Sequence, residues 1–263
     1  MTLVVINQKF RAVGPAAAGR PPTEAVLKTA EMFGIGLDES YEVTLYDRVR
    51  LDVRPGDVVL VTGPSGCGKS VLLARLAEAL AAAWPGAAQV DLAAVALPPD
   101  RPVIDLMRPP LERALRVLSA AGLADAFLLL RTPPELSDGQ RYRLRLALAI
   151  DHCGLRIANC ELNRNEPAAG HAVVAVNPQS AIRNPQSCVL LADEFCSTLD
   201  RLCARAVAYR VRRMASREGV TVLAASAHED LLEDLAPDVL VVKHEARQVE
   251  ILYADPLRPE DRP

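Results

Sequence analysis

The alternation of apolar and polar residues divides the chain into strands and helices. Residues 41–53 alternate as half-buried antiparallel strands do, whereas several later apolar runs are continuous and predict buried strands. Segments with a helical period lie between these runs. The predicted strands are 3–6, 41–53, 57–62, 188–195, 220–226 and 238–243, and the predicted helices are 70–83, 111–121 and 201–217, with others near residues 23 and 138 and after residue 228.

The order of these elements predicts an α/β fold. Strands and helices alternate along most of the chain, and this order is typical of a mostly parallel central sheet flanked by helices. The alternating residues 41–53 predict an antiparallel β subdomain in addition. We expect an N-terminal extension over residues 1–36, one domain over residues 37–255 and a flexible tail over residues 256–263.

Residues 153–187 interrupt the alternation and predict a surface insertion. The segment contains the word Asn-Pro-Gln-Ser twice, and Asn-Pro repeats inside a domain are typical of surface loops. Cys153, Cys160 and His171 offer ligand atoms for a metal ion, but their spacing matches no usual ligand pattern. We therefore assign this segment no function.

Composition and charge exclude several classes of protein. Half of the 263 residues are hydrophobic, so the chain can bury a core, and a net charge of −3 gives no general nucleic-acid footprint. No apolar run approaches the roughly 20 residues of a membrane span, and no secretory leader is visible. The six cysteines form no Cys-x-x-Cys pair, which predicts free thiols. We expect a soluble, cytoplasmic protein.

A glycine-rich segment between a predicted strand and a predicted helix carries the clearest chemistry. The sequence GPSGCGKS fits the phosphate-loop pattern G-x-x-x-x-G-K-[ST]. Backbone amides of such a turn wrap phosphates at the positive end of a helix. Lys69 would reach the β- and γ-phosphates of ATP, and the Ser70 hydroxyl would bind Mg²⁺. The predicted ATP-contacting residues are Gly63, Pro64, Ser65, Gly66, Cys67, Gly68, Lys69, Ser70 and Val71.

Two carboxylates end a later buried strand. Asp193 stands where it could hold the Mg²⁺ through water, and Glu194 where it could orient or deprotonate an attacking water. Two acids often end a strand at the surface without any catalytic role. The catalytic interpretation therefore depends on the phosphate loop upstream.

The order of the motifs resembles that of the ATP-binding-cassette (ABC) ATPases. The phosphate loop is followed by LSDGQ at residues 136–140, then by LLADEF, STLD and an isolated histidine. In that family the signature contacts the γ-phosphate held by a second, head-to-tail protomer. The resemblance implies a P-loop NTPase fold of ABC type and nucleotide contacts from Ser137, Gly139 and Gln140. For these five residues alone, the alternative is a capped helix start, where Asp138 suits the helix dipole.

The same resemblance to the ABC ATPases implies roles for further residues. Asp200 in STLD is similar to the acidic residue of the loop that crosses the dimer interface. His228 resembles the switch histidine that hydrogen-bonds the γ-phosphate, with a structural role as the alternative. Tyr41 lies at a suitable distance before the phosphate loop to stack on adenine; Tyr46 is its rival, and strand packing is the alternative for both. The resemblance thus implies a catalytic set of Lys69, Glu194 and His228.

The chain departs from the ABC transporters at three points. Gln89 lies too early to match their Mg²⁺-binding glutamine, the helical subdomain that docks on membrane subunits is short, and Phe195 stands where transporters usually have proline. The wording of the motifs looks closest to a soluble branch of ABC-type ATPases, some of them fused to an acetyltransferase-like domain. Residues 1–36 would then be a remnant of a longer architecture.

The leading prediction is a soluble ABC-type ATPase that hydrolyses Mg-ATP as a homodimer and acts on an unidentified protein partner. Three alternatives stay open: the nucleotide-binding subunit of a transporter, a nucleic-acid-associated ATPase, and an ATP-gated scaffold without turnover. The nucleic-acid alternative rests on Arg141, Arg143 and Arg145, whose spacing by two spreads them over different helix faces. A membrane subunit is the less expected partner, because the docking region is short.

Overall fold

The computed structural model describes residues 2–13, 21–37, 40–153, 188–244 and 248–255. The strands are β1 (Thr2–Val13), β2 (Ser40–Val53), β3 (Val58–Thr62), β4 (Ala88–Asp91), β5 (Cys188–Ala192), β6 (Thr221–Ser226), β7 (Val239–Lys243) and β8 (Val249–Tyr253). The α-helices are α1 (Glu24–Phe33), α2 (Lys69–Ala83), α3 (Leu111–Ala120), α4 (Ala126–Leu129), α5 (Asp138–His152), α6 (Arg201–Glu218) and α7 (Leu232–Leu235). Short 3₁₀ turns occupy Leu92–Ala94, Val103–Leu106, Pro133–Glu135 and Glu229–Leu231.

A six-stranded sheet in the order β4-β5-β6-β3-β7-β8 forms the centre of the molecule. The strands from β4 to β7 pair in parallel, and only β8 runs antiparallel to its neighbour. Every residue of β3 and β6 is buried, because helices or the β1–β2 ribbon cover both faces of the sheet. This architecture confirms the predicted α/β fold with a mostly parallel sheet.

Alternate residues along the strands of the sheet pack into two separate cores. Val58 and Leu60 of β3 point to the face that α3, α5 and α6 cover, whereas Val59 and Val61 point to the face covered by α2 and the ribbon. The period of two along each strand therefore assigns helices to both sides of the sheet. The carboxyl ends of β5, β6 and β3 lie side by side, and ligands of open α/β sheets bind at this edge.

The N-terminal strand belongs to the antiparallel ribbon. β1 pairs with β2 from Thr2 opposite Val53 to Val13 opposite Ser40, so it is much longer than the predicted strand at residues 3–6. Val4 and Ile6 are buried in the same core as α2. The predicted division between residues 36 and 37 therefore separates two strands that pair with each other.

Helix α1 connects the two ribbon strands. It begins after Thr23, whose hydroxyl accepts a hydrogen bond from the Val26 amide at 3.4 Å, and it ends at Gly34 in the left-handed conformation. The predicted helix near residue 23 is therefore present. None of its residues is buried.

A disulfide joins Cys153, just after α5, to Cys188, the first residue of β5. The expectation of free thiols is therefore wrong for this pair, whereas Cys67, Cys196 and Cys203 are free. A search for close Cys-x-x-Cys spacing misses a pair 35 residues apart that the fold brings together. Nearby, the buried Asp151 of α5 pairs with Arg113 of α3 and fixes this end of α5.

Several predictions concern residues outside the described part of the chain. They include nearly all of the insertion at 153–187, with Cys160 and His171, and the tail at 256–263. Within the described part, no helix is both long enough and apolar enough to cross a membrane.

Candidate functional site

The phosphate loop leaves the carboxyl end of β3 and enters α2. Gly63 has φ 145°, and a Cβ there would lie 2.2 Å from the Lys243 carbonyl oxygen, so only glycine fits. Gly66 and Gly68 also have positive φ values, 77° and 99°. The loop therefore approaches β7 through a backbone path that side chains would block.

The N-terminus of α2 has no side-chain cap. Gly68 occupies the cap position, so the first amides of the helix are not used by a side-chain oxygen. Lys69 Nζ donates to the carbonyl oxygens of Gly63 at 2.8 Å and Pro64 at 2.7 Å, and Ser70 is exposed beside it. A glycine turn at an uncapped helix start is a ready site for an anion.

Tyr46 supports this loop from below. It is fully buried, and its hydroxyl donates to the Gly68 carbonyl oxygen at 2.9 Å. Burial raises the pKa of Tyr46 and lowers that of Lys243, whose ammonium lies 5.4 Å from the Tyr46 ring. The alternative that Tyr46 stacks on adenine is therefore wrong, because its ring is enclosed in the core. The side chain of Tyr41 lies outside the described part of the structure, so its stacking role stays a prediction.

Asp193 and Glu194 follow β5 and are exposed. The Glu194 amide donates to Asp193 Oδ1 at 3.0 Å, and Glu194 adopts the left-handed conformation with φ 50°. The next residue, Phe195, is fully buried, and its amide donates to the Ala225 carbonyl oxygen of β6 at 2.7 Å. A buried aromatic thus anchors the turn where ABC transporters usually have proline.

A buried hydrogen bond that no motif predicted holds the same turn. The Cys196 amide donates to the hydroxyl of Tyr142 at 3.0 Å, and Tyr142 belongs to α5, the helix that begins at the signature. Cys196 has φ 60° and is 1% exposed, and burial raises the pKa of its thiol to about 12. The turn that carries Glu194 is therefore tied to the signature helix of its own chain.

His228 follows β6, and its side chain is exposed. Its amide donates to Ser226 Oγ at 3.1 Å, and that hydroxyl donates to the Phe195 carbonyl oxygen at 3.3 Å. Ser226 therefore joins the histidine segment to the acidic turn. The phosphate loop, the acidic turn and His228 follow three neighbouring strands, so the fold brings these predicted residues to one edge of the sheet.

The signature residues start α5 with a capping box. Ser137 Oγ accepts from the Gln140 amide at 3.3 Å, and Gln140 Oε1 accepts from the Ser137 amide at 2.9 Å. Asp138 pairs with Arg141 at 2.5 Å on the surface. Within the described residues, no hydrogen bond joins residues 136–140 to the phosphate loop.

Asp200 caps the N-terminus of α6. Its Oδ1 accepts from the Cys203 amide at 2.9 Å, and the hydrogen bonds from the Cys203 side chain and amide lower the pKa of this carboxyl group. A Cβ at Gly139 would lie 3.2 Å from the Leu199 side chain and 3.3 Å from the Thr198 carbonyl oxygen. The signature therefore packs against the STLD segment of its own chain.

Two further predictions can be compared with the geometry. Gln89 lies on β4, where its amide donates to the Ala77 carbonyl oxygen at 2.8 Å, and this agrees with its exclusion as the Mg²⁺-binding glutamine. Arg141, Arg143 and Arg145 donate to backbone oxygens within the chain, to Leu136, Gly122 and Val95 respectively. They form no common basic stripe on α5.

The donor set fits a magnesium ion that is held mainly by phosphates. Among the described residues, no cluster of three or more histidine, cysteine or acidic side chains could hold a metal ion. The Ser70 hydroxyl and the Asp193 carboxylate are exposed oxygen donors. Ser70 lies at the phosphate loop after β3, and Asp193 follows β5, which β6 separates from β3. Mg²⁺ prefers oxygen and commonly takes only one or two protein ligands beside substrate phosphates.

Two known proteins are similar to this chain in sequence. The aliphatic sulfonates import ATP-binding protein of Cupriavidus necator is 36% identical over 163 residues, which cover 51% of this chain and 52% of that protein. The phosphonates import ATP-binding protein of Hyphomonas neptunium is 26% identical over 215 residues, or 77% and 78% of the two chains. No family model matches the chain. The chain spans about half the length of the first of these relatives.

Solved structures share the fold of this chain. A dimeric bacterial ABC transporter cassette matches with a TM-score of 0.51 at 16% identity, over 82% of this chain and 94% of that one. A post-hydrolysis state of the same cassette, bound to ADP and phosphate, matches equally well. The predicted ABC-type P-loop NTPase fold and the resemblance to ABC ATPases are thereby confirmed. The soluble branch fused to an acetyltransferase-like domain stays a prediction.

Proposed function

We propose that this chain, which has the fold of the ABC ATPase cassettes, binds and hydrolyses Mg-ATP as a head-to-tail homodimer. The observation that carries the proposal is the convergence of the glycine loop, the Asp193–Glu194 turn and His228 at the carboxyl ends of three neighbouring strands. A phosphate site, two acids and a histidine are the groups that phosphoryl transfer to water requires.

The phosphate loop binds the nucleotide. Uncapped amides at the start of α2 face the phosphates, and Lys69 exchanges its two carbonyl contacts for the β- and γ-phosphate oxygens. Gly63, Gly66 and Gly68 keep the backbone close enough for these contacts. Tyr46 holds the Gly68 carbonyl and so fixes the direction of the loop from below.

The residues that would hold Mg²⁺ belong to the phosphate-loop end of α2 and to the acidic turn after β5. Ser70 would hold Mg²⁺ directly, and Asp193 would hold it through water. Bound there, the ion would neutralise charge that develops on the phosphates. The amide of Glu194 already donates to Asp193, and this hydrogen bond orients the carboxylate.

Glu194 is the proposed general base. It follows Asp193 directly, in a left-handed turn that Phe195 and Cys196 anchor to β6 and α5. From this position the carboxylate orients and deprotonates the attacking water, while His228 donates to the γ-phosphate. Ser226 sets the two groups in a fixed relation, because it contacts the backbone on both sides.

The signature completes the site of a second chain. Among the described residues, 136–140 form no hydrogen bond to the phosphate loop of their own chain, and Ser137, Gly139 and Gln140 would instead contact ATP held by the partner copy. Asp200 would meet the partner at the same interface, because Gly139 packs against the STLD segment. The dimeric state of the related cassette supports this arrangement.

A transporter subunit is the second candidate. It is favoured by the names of the two curated relatives, which are both import ATP-binding proteins. The same ATP site would then drive a membrane subunit, and association with such a subunit in native membranes would support this function.

The proposed function can be tested by light scattering and ATP hydrolysis. The Glu194→Gln variant should dimerise only with Mg-ATP and should turn over about 100-fold more slowly than wild type, since it keeps the binding site but loses the base. Ser137→Arg in the Glu194→Gln background should abolish the dimer and leave single-site ATP binding intact. A monomer at saturating Mg-ATP would show that the signature is only a helix cap, and the proposal would be wrong.

A further inference from the structure

The arginines on one face of α6 are paired with acids. Arg201, Arg205 and Arg212 lie within about 40° of one another around the helix axis, at 3.6 residues per turn. Their partners are three aspartates of the segment 230–238, at nitrogen–oxygen distances of 3.0, 2.5 and 2.5 Å. Ion pairs within the chain therefore account for this first row of arginines.

A second row of arginines on α6 has no acidic partner. Arg210, Arg213 and Arg217 lie within about 60° of one another, on a face about 130° from the first row. Arg116 of α3 lies across a groove from them. Among the described residues, none of these four arginines forms an ion pair, and Glu218 is the only acid that lines the groove. The groove therefore carries a positive charge that the described part of the chain does not neutralise.

The guanidinium groups of this groove are accessible from solvent. All four arginines are exposed, whereas Val117 and Leu146 at the floor of the groove are each 1% exposed. A ligand in this cavity of about 420 Å³ would therefore contact the arginine side chains above the floor. Arg210 already donates to the Ser119 carbonyl oxygen at 3.0 Å, so it joins α6 to the end of α3 and fixes one side of the groove.

An exposed aromatic ring borders the second row. Tyr209 lies one turn before Arg213, and the guanidinium of Arg213 is 5.6 Å from the centre of the tyrosine ring. Tyr209 is 51% exposed, so part of its ring remains open to a ligand. Aromatic rings beside a basic groove are the combination that binds single-stranded nucleic acid, because bases stack on the rings while phosphates contact the cations.

The length of the second row also suits a nucleic-acid strand. From Arg210 to Arg217 the helix rises by about 10 Å, which corresponds to about three nucleotides at 3.4 Å each. Each guanidinium can donate two parallel hydrogen bonds to one phosphate. The row can therefore contact successive phosphates of one strand.

We propose that the groove between α3 and the C-terminal half of α6 binds single-stranded nucleic acid. Arg116, Arg213 and Arg217 contact the phosphates, and one base stacks on Tyr209. None of these residues belongs to the phosphate loop, the acidic turn or the signature, so the site is distinct from the ATP site. Because the whole chain has a net charge of −3, binding is confined to this local charge and depends strongly on salt.

The test is the fluorescence anisotropy of a labelled oligothymidylate of about 12 nucleotides, titrated with the full chain. Excess Mg-ADP is present throughout, so that the phosphate loop is occupied. Wild type should bind with a Kd of about 10 µM at about 50 mM salt. The logarithm of the association constant should fall with the logarithm of the salt concentration with a slope of about −2, since three phosphates each contribute about 0.7.

Variants of the second row should weaken this binding. The double variant Arg213→Gln, Arg217→Gln should lower the affinity at least about tenfold and make the slope shallower by about 1.4. The matched control is Lys28→Gln, Arg205→Gln. It removes the same two charges from exposed positions that are paired with acids, and the affinity should stay within about twofold of wild type.

A variant of the tyrosine separates stacking from charge. Tyr209→Ala should lower the affinity about fivefold without changing the slope, because it removes a stacking surface and no cation. Tyr209→Phe keeps the ring and should bind as wild type does. The melting temperature of each variant establishes that the chain is folded.

The competitors in the same assay are a DNA duplex, tripolyphosphate and polyglutamate, at equal concentration of negative charge. Each should displace the strand less well than unlabelled oligothymidylate does. A competitor that displaces it equally well would show that the groove does not select a single strand, and the proposal would be wrong. Absence of binding by wild type at about 50 mM salt, or equal weakening by the Arg213, Arg217 variant and by its control, would also overturn it.

Discussion

The helices α2 and α5 both begin at a polar turn, but only α5 caps itself. At α2, Gly68 supplies no side-chain acceptor, so the first amides remain for an anion. At α5, Ser137 and Gln140 already satisfy each other's amides. An N-cap contributes about 1 kcal/mol, and α5 must give up part of this to bind a phosphate. Under the proposed function, the start of α2 would bind ATP without a partner, whereas the start of α5 would contact a phosphate that another chain presents.

A buried tyrosine holds the phosphate loop, and another holds the turn that carries Glu194, but the two hydroxyls act in opposite directions. Under the phosphate loop the Tyr46 hydroxyl donates to a carbonyl oxygen, and under the Glu194 turn the Tyr142 hydroxyl accepts from an amide. Under the proposed function, Tyr46 therefore supports the region that would bind nucleotide, and Tyr142 the region that would act on water. Variants of these two tyrosines can therefore test ATP binding and ATP turnover separately.

The largest effect is expected at Gly63. Gly63→Ala places a Cβ 2.2 Å from the Lys243 carbonyl oxygen at φ 145°, so the loop must rebuild and ATP affinity should fall by about 100-fold or more. Gly139→Ala meets its neighbours only at 3.2 and 3.3 Å, so it should weaken ATP-dependent dimerisation and leave single-site binding intact. Calorimetric titration of ATP measures the contrast. Equal losses of ATP affinity in both variants would contradict it.

A smaller effect is expected from the tyrosines. Tyr142→Phe leaves the buried Cys196 amide without its acceptor, so kcat should fall about tenfold while the Kd for ATP stays within about twofold. Tyr46→Phe frees the Gly68 carbonyl and should instead weaken ATP binding about fivefold. Steady-state kinetics with nucleotide titration separates the two parameters. If both variants lowered only kcat, the assignment of binding to one tyrosine and turnover to the other would fail.

The smallest effect is expected at Asp138. Its carboxylate is exposed at the start of α5, where a partner's γ-phosphate would approach, and it pairs with Arg141. Asp138→Asn removes like-charge repulsion and should tighten the ATP-dependent dimer about threefold, with a smaller gain at high salt. Light scattering in the Glu194→Gln background at two salt concentrations measures this. A weaker dimer would show that the Asp138–Arg141 pair matters more than repulsion.

The sequence predicted features that depend on neighbouring residues better than features that depend on contacts between distant residues. The predicted helix starts near residues 23, 138 and 201 agree with the structure, where Thr23, Ser137 and Asp200 cap the helices. The capping box confirms the alternative prediction that LSDGQ is a capped helix start. A nucleotide role for those residues is compatible with the cap and stays a proposal.

The misses depend on contacts between distant residues. Tyr46 faces the core because of the register between β1 and β2, which shifts around Gln8, and alternation alone does not reveal which face is covered. Tyr142 and Cys196 are 54 residues apart, and Cys153 and Cys188 are 35 apart. No local pattern marks either pair, because each forms only when α5 packs beside β5 and the turn after it.

The disulfide after α5 fixes the C-terminal end of that helix, so the N-terminal end moves most when the helix tilts. The bridge to β5 and the Asp151–Arg113 pair hold its C-terminal end, whereas Ser137 lies at the other end of 15 residues. Such a helix is about 22 Å long, so a tilt of about 5° about the fixed end moves Ser137 by about 2 Å. Tyr142 lies only one turn from the moving end, and it would carry part of that displacement to the turn that holds Glu194.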